Sequence, residues 1–360
     1  MSERNVLDLL CSMIRFPSLS GEEDEICAYM QSYVDAAGIQ NRRIGNSLYF
    51  WIGSGTNKLL LASHLDVVPP SSGHPYPPFD AAEVNGRIYG RGASDAKASG
   101  AAMTSALLEL AAENWHPENG QVIVALTECE ETHYEKNGLR RLLKDHLPRP
   151  QAALVGEPTS LIPTIAQKGL LVLRLDAKGK SAHAARHALG ENAILQTVRD
   201  IQQLSAITFD RVHPVLGPTS LNVTTIQGGT ARNVIPDQCT IYLDIRSTPS
   251  YTHEEIVAKV REAVSSEVTV HSDRIVPVST KTDENIVDAC LEALPGTEPA
   301  GSPTASDWVF LKDVPTVKIG PGHSELSHTA EECVDTSEVM RAVDFYKSAV
   351  KGYFEHSRKV

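Results

Sequence analysis

The chain has 360 residues, enough for two domains, and its 41% apolar and 22% charged content is that of an ordinary globular protein. A formal net charge of −12 and a pI near 5.5 argue against nucleic acid or an anionic membrane as partner. Six scattered cysteines without a CxxC pair point to reduced core thiols, not to a disulfide framework or a thiolate zinc site.

The polar residues 1–5 lack the apolar core of a signal peptide, and no apolar run approaches membrane-spanning length, so a cytoplasmic protein is expected. Val6, Leu9, Leu10, Met13 and Ile14 share one helical face, and Pro17 ends that helix. Ser20 with Glu23 reads as a capping box opening a second helix that runs to Gly38. Residues 47–52 and 59–64 are strand-like, and the proline-rich stretch 69–80 is a surface loop.

The run Leu59 to Ala62 leads directly into His64 and Asp66. Strand side chains alternate, so these two residues face the same way at the C-terminal end of a strand, where open α/β sheets bind ligands. A carboxylate beside an imidazole can fix its tautomer and leave the other ring nitrogen for a metal. A glycine-rich turn, 86–92, then delivers Asp95 just before an alanine-rich helix of roughly residues 97–113. A helix cap would also account for Asp95.

Two more apolar strands, 121–126 and 152–155, end in acids: Glu128, Glu130 and Glu131 after the first, Glu157 after the second. Carboxylates beyond an apolar strand can divide metal binding from proton handling. Three strand ends bearing oxygen or nitrogen donors at one sheet edge define a convergent acidic site.

From about Leu170 the pattern changes to alternating, half-exposed strands at 170–175, 220–226 and 239–245. Helices are expected at 191–205 and 253–266, the second opened by Thr252 with Glu255. This reads as an inserted α+β domain, after which residues 315–319 return to the first style and lead to a loop bearing His328.

His64-Leu65-Asp66, Gly92-Ala93-Ser94-Asp95-Ala96-Lys97, Glu130-Glu131, Gly156-Glu157-Pro158-Thr159 and His328 occur in this order across the whole chain. Together they resemble the acetylornithine deacetylase / succinyl-diaminopimelate desuccinylase family of dinuclear zinc deacylases. The resemblance implies an α/β, zinc-peptidase-like catalytic domain (1–169 and 283–360) with a mixed central sheet flanked by helices. It also implies an inserted α+β, ferredoxin-like lid and dimerisation domain (170–282). By the same analogy His64 and Glu157 hold one metal, Asp95 bridges two, and Glu131 with His328 holds the second. Asp66 orients His64, and Glu130 is the general base.

Two Zn²⁺ per chain suit such donors, with Co²⁺ or Mn²⁺ as alternatives. Such a pair lowers the pKa of a shared water and polarises an amide carbonyl. Gly179-Lys180-Ser181-Ala182-His183 is similar to the family's lid motif, making His183 an oxyanion donor in the partner's site of a homodimer. Asn233, Arg232, Arg246 and Ser306 match or flank substrate-contacting positions, Arg246 as a fork for a carboxylate. The Asp95–Ala96 peptide is expected to be cis.

The implied reaction is hydrolysis of a small N-acyl amino acid, foremost N-acetyl-L-ornithine to L-ornithine and acetate in arginine biosynthesis. Succinylornithine, acetylcitrulline, succinyl-diaminopimelate and carrier-protein-linked lysine or ornithine are the alternative substrates. A non-catalytic binder on the same fold would lack a ligand or the base, and all six positions are filled. A Ser-His-Asp hydrolase would need a Gly-x-Ser-x-Gly elbow at a strand–helix turn, and none is present.

Overall fold

The apolar runs at 59–64, 121–126 and 152–155 become the middle of a mixed sheet in the computed structural model, which describes residues 6–132 and 134–357. Residues 1–5, read above as lacking a signal-peptide core, lie outside the described residues, as does His133, to which the sequence assigns no role. Two compact units emerge. The first comprises Met1–Ile165, Thr280–Ala300 and Ser306–Val360, and the second Ala166–Ser279 with Gly301–Ala305. These divisions lie a few residues from those drawn on the sequence, and the return of 301–305 to the second unit has no sequence signal.

In chain order the first unit begins α1 (Val6–Ile14), α2 (Asp24–Asp35), β1 (Gln40–Ile44), β2 (Ser47–Gly53), β3 (Asn57–His64), β4 (Ala82–Val84) and β5 (Arg87–Tyr89). It continues with α3 (Lys97–Ala112), β6 (Gly120–Thr127), α4 (Gly138–Asp145), β7 (Ala152–Val155) and β8 (Thr164–Gln167), which runs into the second unit. The second unit holds β9 (Gly169–Lys178), β10 (Ala182–His183), α5 (Ala193–Ser205), β11 (Ser220–Gly228) and β12 (Val234–Ile235). β13 (Gln238–Ser247), α6 (His253–Ala263), β14 (Glu267–Ile275) and β15 (Val278–Ser279) complete it. The chain closes with α7 (Asn285–Ala293), β16 (Ala300–Ser302), β17 (Thr316–Lys318), β18 (Cys333–Asp335) and α8 (Thr336–His356).

The first unit's sheet runs β1-β2-β6-β3-β7-β17-β8. β3 is parallel to β6 and β7, and β17 is parallel to β7, so four strands end at one edge. Register aligns them: His64 lies opposite Thr127, and Ala62 opposite Val155. α3 is almost wholly buried, because small residues such as Ala98, Ser99, Gly100, Ala101 and Ala102 let its backbone approach the sheet. A Cβ on Gly156 would stand 2.7 Å from the Ser99 Cβ and 2.8 Å from the Met103 Cε. A second, three-stranded sheet, β18-β5-β4, sits in the same unit.

The second unit is an antiparallel sheet, β11-β13-β9-β14. Alternate residues Leu171, Leu173, Leu175, Ile241, Leu243 and Ile245 face a core shared with Leu204 of α5 and Ile256 and Val260 of α6. The expected capping box at Thr252 and Glu255 is present and reciprocal.

The one expected at Ser20 and Glu23 is not. α2 starts at Asp24 and Glu23 makes no side-chain cap. Instead the Ser20 hydroxyl donates to Asp66 Oδ2 (2.7 Å), and buried Glu23 accepts from Gly21 N (2.8 Å) and Cys129 N (3.0 Å). The S-x-x-E spacing is local, but long-range acceptors and donors claimed both side chains. All six cysteines are free. No helix among the described residues is long and apolar enough to cross a membrane.

Candidate metal centre

β3 delivers His64 fully buried at its C-terminal end. Its Nδ1 lies 2.9 Å from the Asp66 carbonyl and 3.5 Å from Asp66 Oδ1. The backbone oxygen is thus the nearer partner, a correction to the simple picture of the carboxylate alone fixing the ring. With Nδ1–H donated there, Nε2 is left as the donor atom for a cation. The Asp66 carboxylate has a further task. It accepts from Glu130 N (3.0 Å) and Glu131 N (3.1 Å) as well as from Ser20, so it holds the turn that carries the next two acids.

That turn follows β6. Cys129 has φ +57°, which bends the chain back, and its N–H is held by Glu23. Of the three neighbouring acids, Glu128 turns away to pair with Arg141 and accept from Asn46 N (3.1 Å). Glu131 turns toward His328, and Glu130 lies within electrostatic reach of His64.

Asp95 does not cap α3, whose N-cap is Ala96 without a side-chain bond. The Asp95–Ala96 peptide is cis, as expected. The two oxygens of Asp95 divide. Oδ1 lies 3.2 Å from His64 Nε2, and Oδ2 lies 3.5 Å from His328 Nε2. Glu157 Oε1 is 3.9 Å from His64 Nε2, and Glu131 Oε1 is 3.0 Å from His328 Nε2.

Two donor groups therefore form, His64–Asp95–Glu157 and Asp95–Glu131–His328, and Asp95 belongs to both. Bonds of about 2.0–2.1 Å in a tetrahedral shell put neighbouring donors about 3.3 Å apart. The four separations straddle that value, and imidazole with carboxylate is a donor set for zinc or its neighbours. The first group is buried, whereas the His328 side chain is 50% exposed. A third grouping, His323, Asp335 and Glu338, has protein partners already: Ser160, Arg87 and Gly322 N respectively.

Electrostatics mark the same place. Burial, opposed by His64 and reinforced by Glu157, Asp307 and Glu131, raises the Glu130 carboxyl well above its ordinary range. Burial and Asp95 push Glu157 up to about 8, and burial also raises Glu131. Burial works against the His64 imidazolium, but hydrogen bonds to Asp66 and Asp95 overcome it and raise that group. Carboxyls crowded until they resist ionising mark a place that a divalent ion would relieve.

The remaining sequence candidates are not members of the two donor groups. Within the second unit, β10 pairs with β12, which sets His183 opposite Val234, and Arg232 and Asn233 directly precede β12 in the chain. The Asn233 carbonyl accepts from Ala184 N (2.9 Å). His183 is exposed, and its Nδ1 accepts from Ala185 N (3.1 Å). Arg246, on β13, forks onto Asp244 of the same strand at 2.8 and 3.1 Å. Ser306 is in the first unit, buried, and its hydroxyl caps the short helix Asp307–Leu311 at Trp308 N.

Three residues near the centre were not singled out from sequence. Asp307 is buried, bonded to Asn137 Nδ2 (2.6 Å) and Thr127, and pushed up to about 6 by burial. Lys318 is buried at the end of β17, where Glu157, Asp95 and Glu130 oppose the loss of its proton that burial favours. Glu332 lies under the Asp95 turn. The only available signal for Lys318 was a lone lysine in an apolar run.

A mixed α/β unit carries two imidazole–carboxylate donor groups around a shared aspartate, and together with the family match that follows this makes the chain a metal-dependent amidohydrolase. The chain belongs to peptidase family M20/M25/M40, whose profile matches residues 60–352. It is 28% identical to the succinyl-diaminopimelate desuccinylase of Wolbachia pipientis wMel, over 98% of this chain and 94% of that protein. It is 27% identical to a probable succinyl-diaminopimelate desuccinylase of Staphylococcus epidermidis, over 99% of both chains. Among solved structures, aminopeptidase PepT of Bacillus cereus superposes with a TM-score of 0.79 at 20% identity, covering 98% of this chain and 99% of that one. The Bacillus subtilis YXEP protein, a dinuclear metal-binding peptidase, gives 0.77 at 16% identity, covering 99% and 98%.

Proposed function

We propose that this amidohydrolase removes the acyl group from a small N-acyl amino acid, with N-acetyl-L-ornithine as the substrate that its motifs favour. The observation that carries the reading is the pair of donor groups sharing Asp95, with Glu130 on the turn that also bears a ligand. His64, Asp95 and Glu157 would hold one cation, and Asp95, Glu131 and His328 the other. Zn²⁺ is the ion we assign, Co²⁺ or Mn²⁺ serving as well. When bound, the two cations acidify water and polarise the scissile carbonyl.

The protein's own groups do the rest. Glu130, held by Asp66 through its N–H, takes the proton of the attacking water and hands it to the departing amine. An environment that raises its carboxyl suits both halves of that transfer. His183 supplies an oxyanion donor from the lid of a second copy. Its Nδ1 accepts a backbone N–H, which leaves the proton on Nε2 as the outward donor. Arg246 and Asn233 bind the substrate's carboxylate end, with Arg232 and Ser306 in supporting contacts.

A homodimer through the second unit agrees with apolar residues left exposed there: Leu195 and Val198 on α5, and Ile226 on the edge strand β11. We assign residues 1–169 and 283–360 to catalysis and 170–282 to the lid, in a cytoplasmic protein that binds neither nucleic acid nor membrane.

A second reading, N-succinyl-diaminopimelate as substrate and so a place in lysine rather than arginine biosynthesis, is favoured by the names of the two relatives. Metal-loaded protein assayed against acetylornithine, succinylornithine and succinyl-diaminopimelate separates the readings. Glu130→Gln should keep its metals and lose at least ~10²-fold in kcat. Turnover of none of the three substrates, or a fully active Glu130→Gln, refutes the proposal.

A further inference from the structure

Glu332 lies four residues beyond His328, at the start of β18. Pairing of Cys333 with Tyr89, and of Gly90 N with the Glu332 carbonyl (3.1 Å), fixes it opposite the turn between β5 and α3. One of its oxygens, Oε1, accepts three backbone N–H groups of that turn: Gly92 (3.0 Å), Ser94 (3.1 Å) and Asp95 (3.1 Å). The other oxygen receives the guanidinium of Arg91, and both side chains are completely enclosed. Gly92 makes the convergence possible, because its φ of +85° suits glycine and a Cβ there would stand 2.7 Å from the Val67 side chain.

The turn so gathered ends at Asp95, whose two oxygens must reach different donor groups. A carboxylate divided in this way tolerates little rotation, and its aim is set by the backbone that carries it. The same short segment carries His328 to the second group. We infer that Glu332 is a positioning residue for the metal centre. By gathering the Asp95 turn onto one oxygen, it fixes the bridging carboxylate relative to His328 and so sets the affinity of the second, more exposed site. The inference rests on the reading of Asp95 and His328 as ligands. A buried ion pair that only stabilises the fold would behave differently, since its loss would lower stability without separating the two metal affinities.

The test uses the full-length protein, stripped with chelator and titrated with Co²⁺, whose visible absorption reports occupancy without turnover. Glu332→Gln keeps the shape but puts an amide donor against donors. Glu332→Asp is one methylene too short to reach all three N–H groups, and Arg91→Lys leaves the three bonds in place. Both Glu332 variants should bind the first ion within ~3-fold of wild type and the second ~10–100-fold more weakly. Their kcat should fall while KM moves less than ~3-fold, and Arg91→Lys should stay near wild type for both ions. Should Glu332→Gln not fold, Glu332→Asp decides alone; failure of both to fold assigns Glu332 to folding and overturns the inference. Unchanged second-site affinity in a folded Glu332 variant overturns it too, as does an equal loss in Arg91→Lys. Wild-type protein that takes up fewer than two ions sinks the metal reading itself, which is a distinguishable result.

Discussion

Replacing Asp66 with asparagine probes how the acid-bearing turn is held. The carboxylate accepts three hydrogen bonds, from Ser20 Oγ at 2.7 Å, Glu130 N at 3.0 Å and Glu131 N at 3.1 Å, and it is fully buried. Asparagine has one acceptor oxygen and one donor amide. The serine hydroxyl can reverse and accept from that amide, but a backbone N–H cannot. Either Glu130 N or Glu131 N is then left buried against a donor, at about 1–3 kcal/mol, and the remaining bonds lose the contribution of the charge. The expected total is about 3–5 kcal/mol in the metal-free protein, to be read by urea denaturation.

Because the displaced amide belongs to the proposed base or to a proposed ligand, function should fall with stability. We expect metal affinity ~10–100-fold weaker and kcat reduced by a similar factor. Ser20→Ala is the control. It removes one donor and leaves both backbone bonds, so it should cost roughly 1.5 kcal/mol and change kcat less than ~3-fold. A stable Asp66→Asn with unchanged metal affinity refutes the reasoning, and so does a Ser20→Ala as damaging as Asp66→Asn.

Metal should stabilise the protein more as pH rises. In the metal-free protein Glu157 stays protonated to about 8, against 4.5 ordinarily, because of burial and Asp95. A raised carboxyl contributes stability that is fully present below about 4.5 and lost as pH rises through about 8, up to ~5 kcal/mol for this group. The gain in Tm on adding Zn²⁺ should therefore grow between about pH 5 and 8, and a gain that is flat or shrinks contradicts the crowding of these acids. Gly156→Ala should cost about 1–3 kcal/mol through its collision with Ser99 and Met103 and weaken metal binding through neighbouring Glu157. Adding Ser99→Gly should recover part of both losses; no recovery would show that the contact is not the cause.

The parts of the fold legible in the sequence were those with a strong local pattern. The apolar runs, the helix at 97–113 and the alternating strands of the second unit all lie within a few residues of their expected places. β1 and β14 have no counterpart in the sequence reading: β1 is polar, and in β14 only Val268 and Val270 alternate before the polar run His271 to Arg274 ends the pattern. α8, whose buried residues recur along the whole helix, has no counterpart in the sequence expectations. At the site, His64, Asp95, Glu157, Glu131 and His328 were legible as ligands only through the family resemblance that their motifs carry, and they do come together. Ser20, Asp307 and Glu332 were not. Each acts through a partner 46 to 237 residues away, a pairing that no local pattern declares. Ser20 even carried a misleading local signal, a capping spacing with Glu23 that the fold does not use. The acceptor atom facing Nδ1 of His64 was also beyond a pattern argument, since the choice between the Asp66 carbonyl and its carboxylate is made by backbone geometry.

Two cations should flank the shared Asp95 carboxylate. Anomalous diffraction from crystals of the metal-loaded protein, recorded at the zinc edge, tests this most directly. Two peaks are expected on opposite sides of the Asp95 carboxylate, one beside His64 and Glu157 and the other beside His328 and Glu131. A single peak, or peaks away from Asp95, would contradict this.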